Sequence, residues 1–139
     1  MQTIFVNLAV KDVQKSTSFY TSLGFKKIDH FSNDQASCIQ LSKYNYFMLL
    51  QDQTFKLFIP NHELTPRGNH LSQLNSFMLS SIEEVDQMAE LALSLGAKEL
   101  RPKEYMEEGM YTRSFIDLDG YGIEVGWMDD QLIPDEIKR

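Results

Sequence analysis

The chain has 139 residues, 42% of them apolar, three histidines, one cysteine and a formal charge of −7. That length suits one compact domain or two half-units sharing a core, and no run of about 18 or more apolar residues is present to span a bilayer. The acidity, with Lys11, Lys15, Lys26 and Lys27 scattered rather than clustered, argues against a nucleic-acid partner; Cys38 has no internal disulfide partner, which fits a cytoplasmic protein.

The opening residues MQTIFVNLAV read as a strand rather than a leader. Over residues 3–10, Ile4, Val6, Leu8 and Val10 take one face, and Thr3, Phe5, Asn7 and Ala9 take the other. Asp12 stands where a helix N-cap belongs. Ser16, Phe19, Tyr20 and Leu23 then follow at helical spacing, and Gly24 supplies the left-handed stop. Three short strands are expected at residues 25–30, 36–41 and 46–51, with polar turns at 32–34 and 42–45.

Residues 52–71 interrupt this order. Pro60, Pro66 and Gly68 punctuate the segment while Phe55, Leu57, Phe58 and Ile59 make it apolar, so a short helical turn and a loop acting as linker or lid are expected. The order then restarts. Leu74, Ser76 and Met78 alternate with Asn75, Phe77 and Leu79, and Ser81 with Glu84 forms a capping-box pattern. Val85, Met88, Ala89, Ala92 and Leu95 make a helical stripe that ends at Gly96. Strands are expected at 98–100, 111–116 and 122–128, with a polar connection at 104–109 and a hairpin turn at Asp119-Gly120. The acidic tail, residues 129–139, reads as a surface or dimer-edge segment.

One phrase therefore appears twice: strand, polar break, and a helix that ends at Leu23-Gly24 and again at Leu95-Gly96. The fold class expected is α+β: a βαβββ module at residues 1–51, the linker at 52–71, and a second module at 72–128. Their curved mixed sheets are expected to enclose a cup, with the helices outside.

The phrases FVNLAVKDVQKSTSFYTSLGF (residues 5–25) and RSFIDLDGYGIEVGWMD (113–129) resemble the vicinal oxygen chelate superfamily, which includes glyoxalase I, bleomycin-resistance proteins and extradiol dioxygenases. The resemblance covers essentially the whole chain. It implies the cup and a homodimer, and it leaves the activity open among lyases, ring-cleaving oxygenases, epimerases and non-catalytic binders. In metal-binding members each half gives one ligand from its first strand and one, usually glutamate, from its last. Carried over, those positions are Phe5, Met48, Leu74 and Glu124, and only Glu124 has a ligand-type side chain.

Glu124 is accordingly the candidate catalytic group, as a general acid or base, with Gly122 and Gly126 leaving room beside it. Its alternative is a solvated strand carboxylate. Phe5, Asn7, Met48, Leu74, Ser76, Tyr111, Arg113 and Gly126 are the candidate ligand-binding residues. Arg113 can instead pair with Asp117 or Glu124, and Asn7 can be an edge amide bonded to backbone. His70, four residues before Leu74, is a weak metal candidate beside Glu124; His62 and His30 are weaker, and Cys38 reads as an apolar filler. No cofactor is expected, with a divalent metal as the alternative. The functional expectation is a cytoplasmic homodimer that holds a small hydrophobic or aromatic molecule and contacts neither nucleic acid nor membrane. A lyase or dioxygenase using Glu124 is the competing expectation, and a domain whose role is partner binding is a third.

Overall fold

The computed structural model describes residues 2–138, apart from the side chains of residues 104–106; Met1 and Arg139 lie outside that description. The chain divides into two compact units, Met1–Gly68 and Asn69–Arg139. Among the described residues, no helix is long and apolar enough to cross a membrane.

The first unit contains β1 (Ile4–Val10), α1 (Val13–Ser22), β2 (Lys26–Ile28), β3 (Ala36–Ser42), β4 (Asn45–Gln51) and α2 (Asp52–Phe58). Its sheet has the order β1-β4-β3-β2, with β1 parallel to β4 and the other pairs antiparallel. Asp12 caps α1 by accepting from the amides of Gln14 and Lys15, both at 3.1 Å. Gly24, at φ 103°, ends the turn as expected. The helix buries Val13, Ser16, Phe19 and Tyr20, and Tyr20 meets Phe47 of β4 edge-to-face at 5.6 Å. That contact assigns Phe47, and with it Leu49, Ile39, Val6 and Leu8 in register, to the helix side of the sheet. Gln51 ties the sheet to the helix entry: its amide oxygen accepts from Val13 N at 3.0 Å, and its nitrogen donates to the Lys11 carbonyl.

The strand expected over 25–30 is shorter in the structure. It ends at Ile28, and Asp29–Phe31 form a 3-10 turn. Ser32 explains the stop, since its hydroxyl donates to the Ile28 carbonyl at 2.7 Å and accepts from Cys38 N at 3.0 Å. Within residues 52–71 the expected helical turn is a full short helix, α2, which packs against β1 and β4. It is pinned by a bidentate ion pair from Arg67 to Asp52, at 2.6 and 2.7 Å, with a further bond from Arg67 to the Ala9 carbonyl at 3.2 Å. Leu57 and Phe58 stand exposed on it.

The second unit contains β5 (Leu74–Met78), α3 (Ile82–Ser94), β6 (Lys98–Glu107), β7 (Met110–Ile116) and β8 (Gly122–Met128). Its sheet order, β5-β8-β7-β6, matches that of the first, and β5 is parallel to β8. Each unit is thus a βαβββ module, the α+β architecture anticipated from the repeat. Ser81 accepts from Glu84 N at 3.1 Å; the Glu84 carboxylate reaches back to Ser80 N at 2.9 Å, one residue earlier than in the usual box. Val85, Ala89 and Ala92 are buried against the sheet.

β6 runs to Glu107, where the sequence suggested a three-residue strand followed by a polar connection. As the outermost strand it needs no apolar alternation, it tolerates Pro102, and its pairing with β7 is broken by bulges. The turn after β7 is built on Asp117, whose carboxylate accepts from Asp119 N and Tyr121 N at 2.9 Å, with Gly120 at φ 92°. The tail begins by bonding Asp129 N to the Gly109 carbonyl at 2.7 Å.

Candidate functional site

Period-two alternation decides which side chains share a face, and the register shows which of them are neighbours. In the first unit the face turned away from α1 carries Phe5, Asn7 and Ala9 of β1, Tyr46, Met48 and Leu50 of β4, and Ala36 and Cys38 of β3. Phe5 stacks on Tyr46, with ring centroids 4.9 Å apart and planes at 15°. Asn7 lies beside Met48, and its amide nitrogen donates weakly to the Phe5 carbonyl at 3.5 Å. Cys38 lies on the other side of Met48 and is fully buried; that burial pushes its thiol up from its ordinary range.

In the second unit the corresponding face carries Leu74, Ser76 and Met78 of β5, Gly122, Glu124 and Gly126 of β8, and Thr112 and Ser114 of β7. Glu124 is the hub. Ser76 donates to one of its oxygens at 3.1 Å and Arg101 of β6 donates to the other at 2.6 Å. The same guanidinium nitrogen of Arg101 reaches Thr112 Oγ1 at 3.2 Å. The Glu124 side chain is 15% exposed and that of Arg101 31%, so the pair is shielded but open to solvent at one end. Ser114, directly opposite Glu124 in the register, has a buried hydroxyl with no hydrogen-bond partner among the described residues.

The two glycines do not leave open space beside Glu124. A Cβ on Gly122 would meet Leu74 Cδ1 at 3.0 Å, and one on Gly126 would meet Met78 Cε at 3.1 Å. Leu74 and Met78 thus lie over the glycine shelves on either side of the carboxylate, and their outer surfaces remain exposed. The glycines accommodate apolar side chains from the neighbouring strand.

Tyr111 and Arg113 stand on the opposite face, against α3. Tyr111 donates to Asp86 Oδ1 at 2.6 Å, and Arg113 pairs with Asp86 at 3.2 Å and with Glu90 at 2.7 Å. Its partners are therefore neither Asp117 nor Glu124. The Tyr111 hydrogen bond, followed by the Arg113 guanidinium, holds the Asp86 carboxyl below the usual carboxylate range despite some desolvation. Burial pulls Arg113 down, but the Glu90 and Asp86 hydrogen bonds outweigh it and leave it raised. His30, His62 and His70 are all exposed, and His62 Nδ1 shares a hydrogen bond with the Pro60 carbonyl at 2.9 Å.

Arg101 is the residue that sequence reasoning missed. It lies just beyond the strand expected at 98–100, before the polar connection expected at 104–109, and a bulge between Glu99 and Arg101 shifts it into register with Ser114. Bulges leave no periodic signal. The surviving hint was a lone arginine beside Pro102, close to an otherwise unmatched carboxylate in the next hairpin.

Two successive βαβββ modules, with the same strand order and a glutamate on the last strand of the second, define a recognisable class of protein. Over residues 4–125 the chain matches the family model of the Glyoxalase/Bleomycin resistance protein/Dioxygenase superfamily, and it belongs to that superfamily. Among solved structures it is similar to a hypothetical protein from S. aureus, with 26% identity, coverage of 91% of this chain and 94% of that one, and a TM-score of 0.77. A glyoxalase/bleomycin resistance protein/dioxygenase family enzyme from Burkholderia phytofirmans shares the fold at 15% identity, covering 93% and 100%, with a TM-score of 0.78. So does a lactoylglutathione lyase from Agrobacterium tumefaciens, at 18% identity over 89% and 91%, with a TM-score of 0.65. No curated protein matches the chain significantly.

The four ligand positions that the superfamily suggests fall at the same offset in both sheets. Phe5 lies two residues before the β1 partner of Met48, and Leu74 two residues before the β5 partner of Glu124. The side chains there do not suit a divalent ion. Phenylalanine and leucine offer no donor, a thioether is a poor one for hard or borderline cations, and the single carboxylate is already engaged by a guanidinium. Among the described residues, no group of three or more histidine, cysteine, aspartate or glutamate side chains is placed to hold a metal.

Proposed function

We propose that this protein binds a small hydrophobic or aromatic molecule, in the manner of the superfamily's glyoxalase/bleomycin-resistance-like members, and does so without their full metal site. The observation that carries the reading is the donor set: Phe5, Met48 and Leu74 at three ligand positions, and at the fourth a Glu124 already paired with Arg101. The composition of each sheet face supports the same reading. On the first unit's face the stacked Phe5–Tyr46 pair and Met48 supply apolar surface and Asn7 a polar point; on the second unit's face Leu74 and Met78 are apolar, and Ser76 and the Glu124–Arg101 pair are the polar points. A cytoplasmic homodimer is part of the proposal, argued from the superfamily's habit and the lone cysteine.

Native mass spectrometry of protein purified without chelators tests metal, retained ligand and oligomeric state together. The expected result is a metal-free dimer whose melting temperature rises with an aromatic ligand from a screen. Stoichiometric bound metal refutes the reading. A second reading, a metal-dependent lyase or dioxygenase, is favoured by the survival of Glu124 on the last strand. Turnover of a hemithioacetal or catechol that depends on added metal and is abolished by Glu124→Gln would establish it in place of the first.

A further inference from the structure

We propose that Arg101 is the resident cation of the Glu124 face: its guanidinium takes the charge-neutralising place at this carboxylate and bars a divalent ion from it. The inference rests on the metal-free reading above and assigns the residue that enforces it.

Three observations converge on Arg101. Its contact with Glu124 is 2.6 Å, a charge-assisted hydrogen bond at the short end of the range. The guanidinium is also anchored from the side, because Thr112 of the adjacent strand β7 accepts from the same nitrogen. Ser76 occupies the second carboxylate oxygen, so the two oxygens of Glu124 have donors from different strands, one from the adjacent β5 and one reaching across β7 from β6. An incoming cation must therefore displace the arginine, and it gains one carboxylate and neutral hydroxyls in return. Arginine stays charged throughout the working pH range, so the block does not lift by deprotonation.

Leu74 and Met78 complete the exclusion. They lie over Gly122 and Gly126, so approach to the carboxylate along β8 is over hydrocarbon, which strips water from a hydrated ion without replacing it. On this account the loss of ligand side chains and the presence of Arg101 are one change in chemistry, from an exchangeable cation to a covalently tethered one.

The test restores a donor and asks whether Arg101 still keeps metal out. Leu74→His places an imidazole on the Glu124 face, one step along β5 from Ser76. Zn²⁺ binding by the full chain is then measured calorimetrically for Leu74→His alone and for Leu74→His with Arg101→Met. Removing a like charge within contact distance of the ion should tighten Zn²⁺ binding about tenfold or more. Equal affinities, with both proteins folded by circular dichroism, overturn the proposal. Should Arg101→Met fail to fold, Arg101→Gln keeps a hydrogen-bond donor without the charge and carries the same expectation. The parent protein is titrated in parallel. Tight stoichiometric Zn²⁺ binding by the parent sinks the metal-free reading and this inference together, whereas a metal-free parent with equal affinities in the variant pair sinks this inference alone.

Discussion

Tyr111→Phe tests the α3–β7 contact with a minimal perturbation, because it deletes one oxygen and leaves a buried ring in place. The lost interaction is a 2.6 Å hydrogen bond from the phenol to Asp86. Bonds to charged partners contribute about 1.5–3 kcal/mol. The Asp86 side chain is 39% exposed, so solvent screening holds the expected loss to the lower end, about 1.5 kcal/mol. For a chain of this length that is a fall in melting temperature of about 5 °C. The pH dependence is the sharper test. The Tyr111 bond is the first cause of the depressed Asp86 pKa, so folding favours the ionised carboxyl. Its contribution is whole above the unfolded value, about 3.9, and drains away as pH falls through the lower folded value. Urea melts at neutral pH and near pH 3 should therefore show a difference between parent and variant that shrinks in acid. A difference of the same size at both pH values refutes the charge-assisted bond. Binding of any ligand found by thermal shift should be unchanged, since Tyr111 faces α3.

Arg67→Ala should speed hydrogen exchange across Asp52–Phe58 and cost about 1–2 kcal/mol, since it removes the two ion-pair bonds and the Ala9 contact that pin α2; unchanged exchange there would refute the clamp. Ser81→Ala should destabilise the protein by about 1 kcal/mol through loss of the α3 cap, read from denaturant midpoints at constant slope. Cys38, fully buried and with its thiol pushed up by that burial, should resist a thiol reagent at pH 8 until denaturant is added; rapid labelling of the native protein would contradict its placement.

Much of the backbone plan was legible without coordinates because its signals are local. Asp12 and Gly24 bracket α1, and Ser81, Glu84 and Gly96 bracket α3, through caps and positive φ values that involve only neighbouring residues. Alternation separated the two faces of each strand, with Phe5 and Asn7 together on one face of β1 and Gly122, Glu124 and Gly126 together on one face of β8; their cross-strand neighbours, Asn7 with Met48 and Ser76 with Glu124, came only with the register. Where periodicity was absent the reading faltered. The outer strand β6 was cut short because an edge position imposes no apolar pattern, and β2 was drawn too long because the Ser32 hydroxyl bonds that end it are made by side-chain geometry.

The repeated pattern of strands and helices indicated by itself that two βαβββ units would form and that a lone carboxylate would stand on the last strand; that three ligand positions lack donors was what the resemblance to the superfamily implied. Only the folded chain decided what that carboxylate touches. A bulge brought Arg101 into register, and strand pairing laid Leu74 and Met78 over the glycines; the phase of β7 sent Tyr111 and Arg113 to the helix side. These outcomes depend on which strand lies beside which and at what offset. Pairing of that kind joins residues 11 to 48 positions apart, a separation across which local pattern carries no phase.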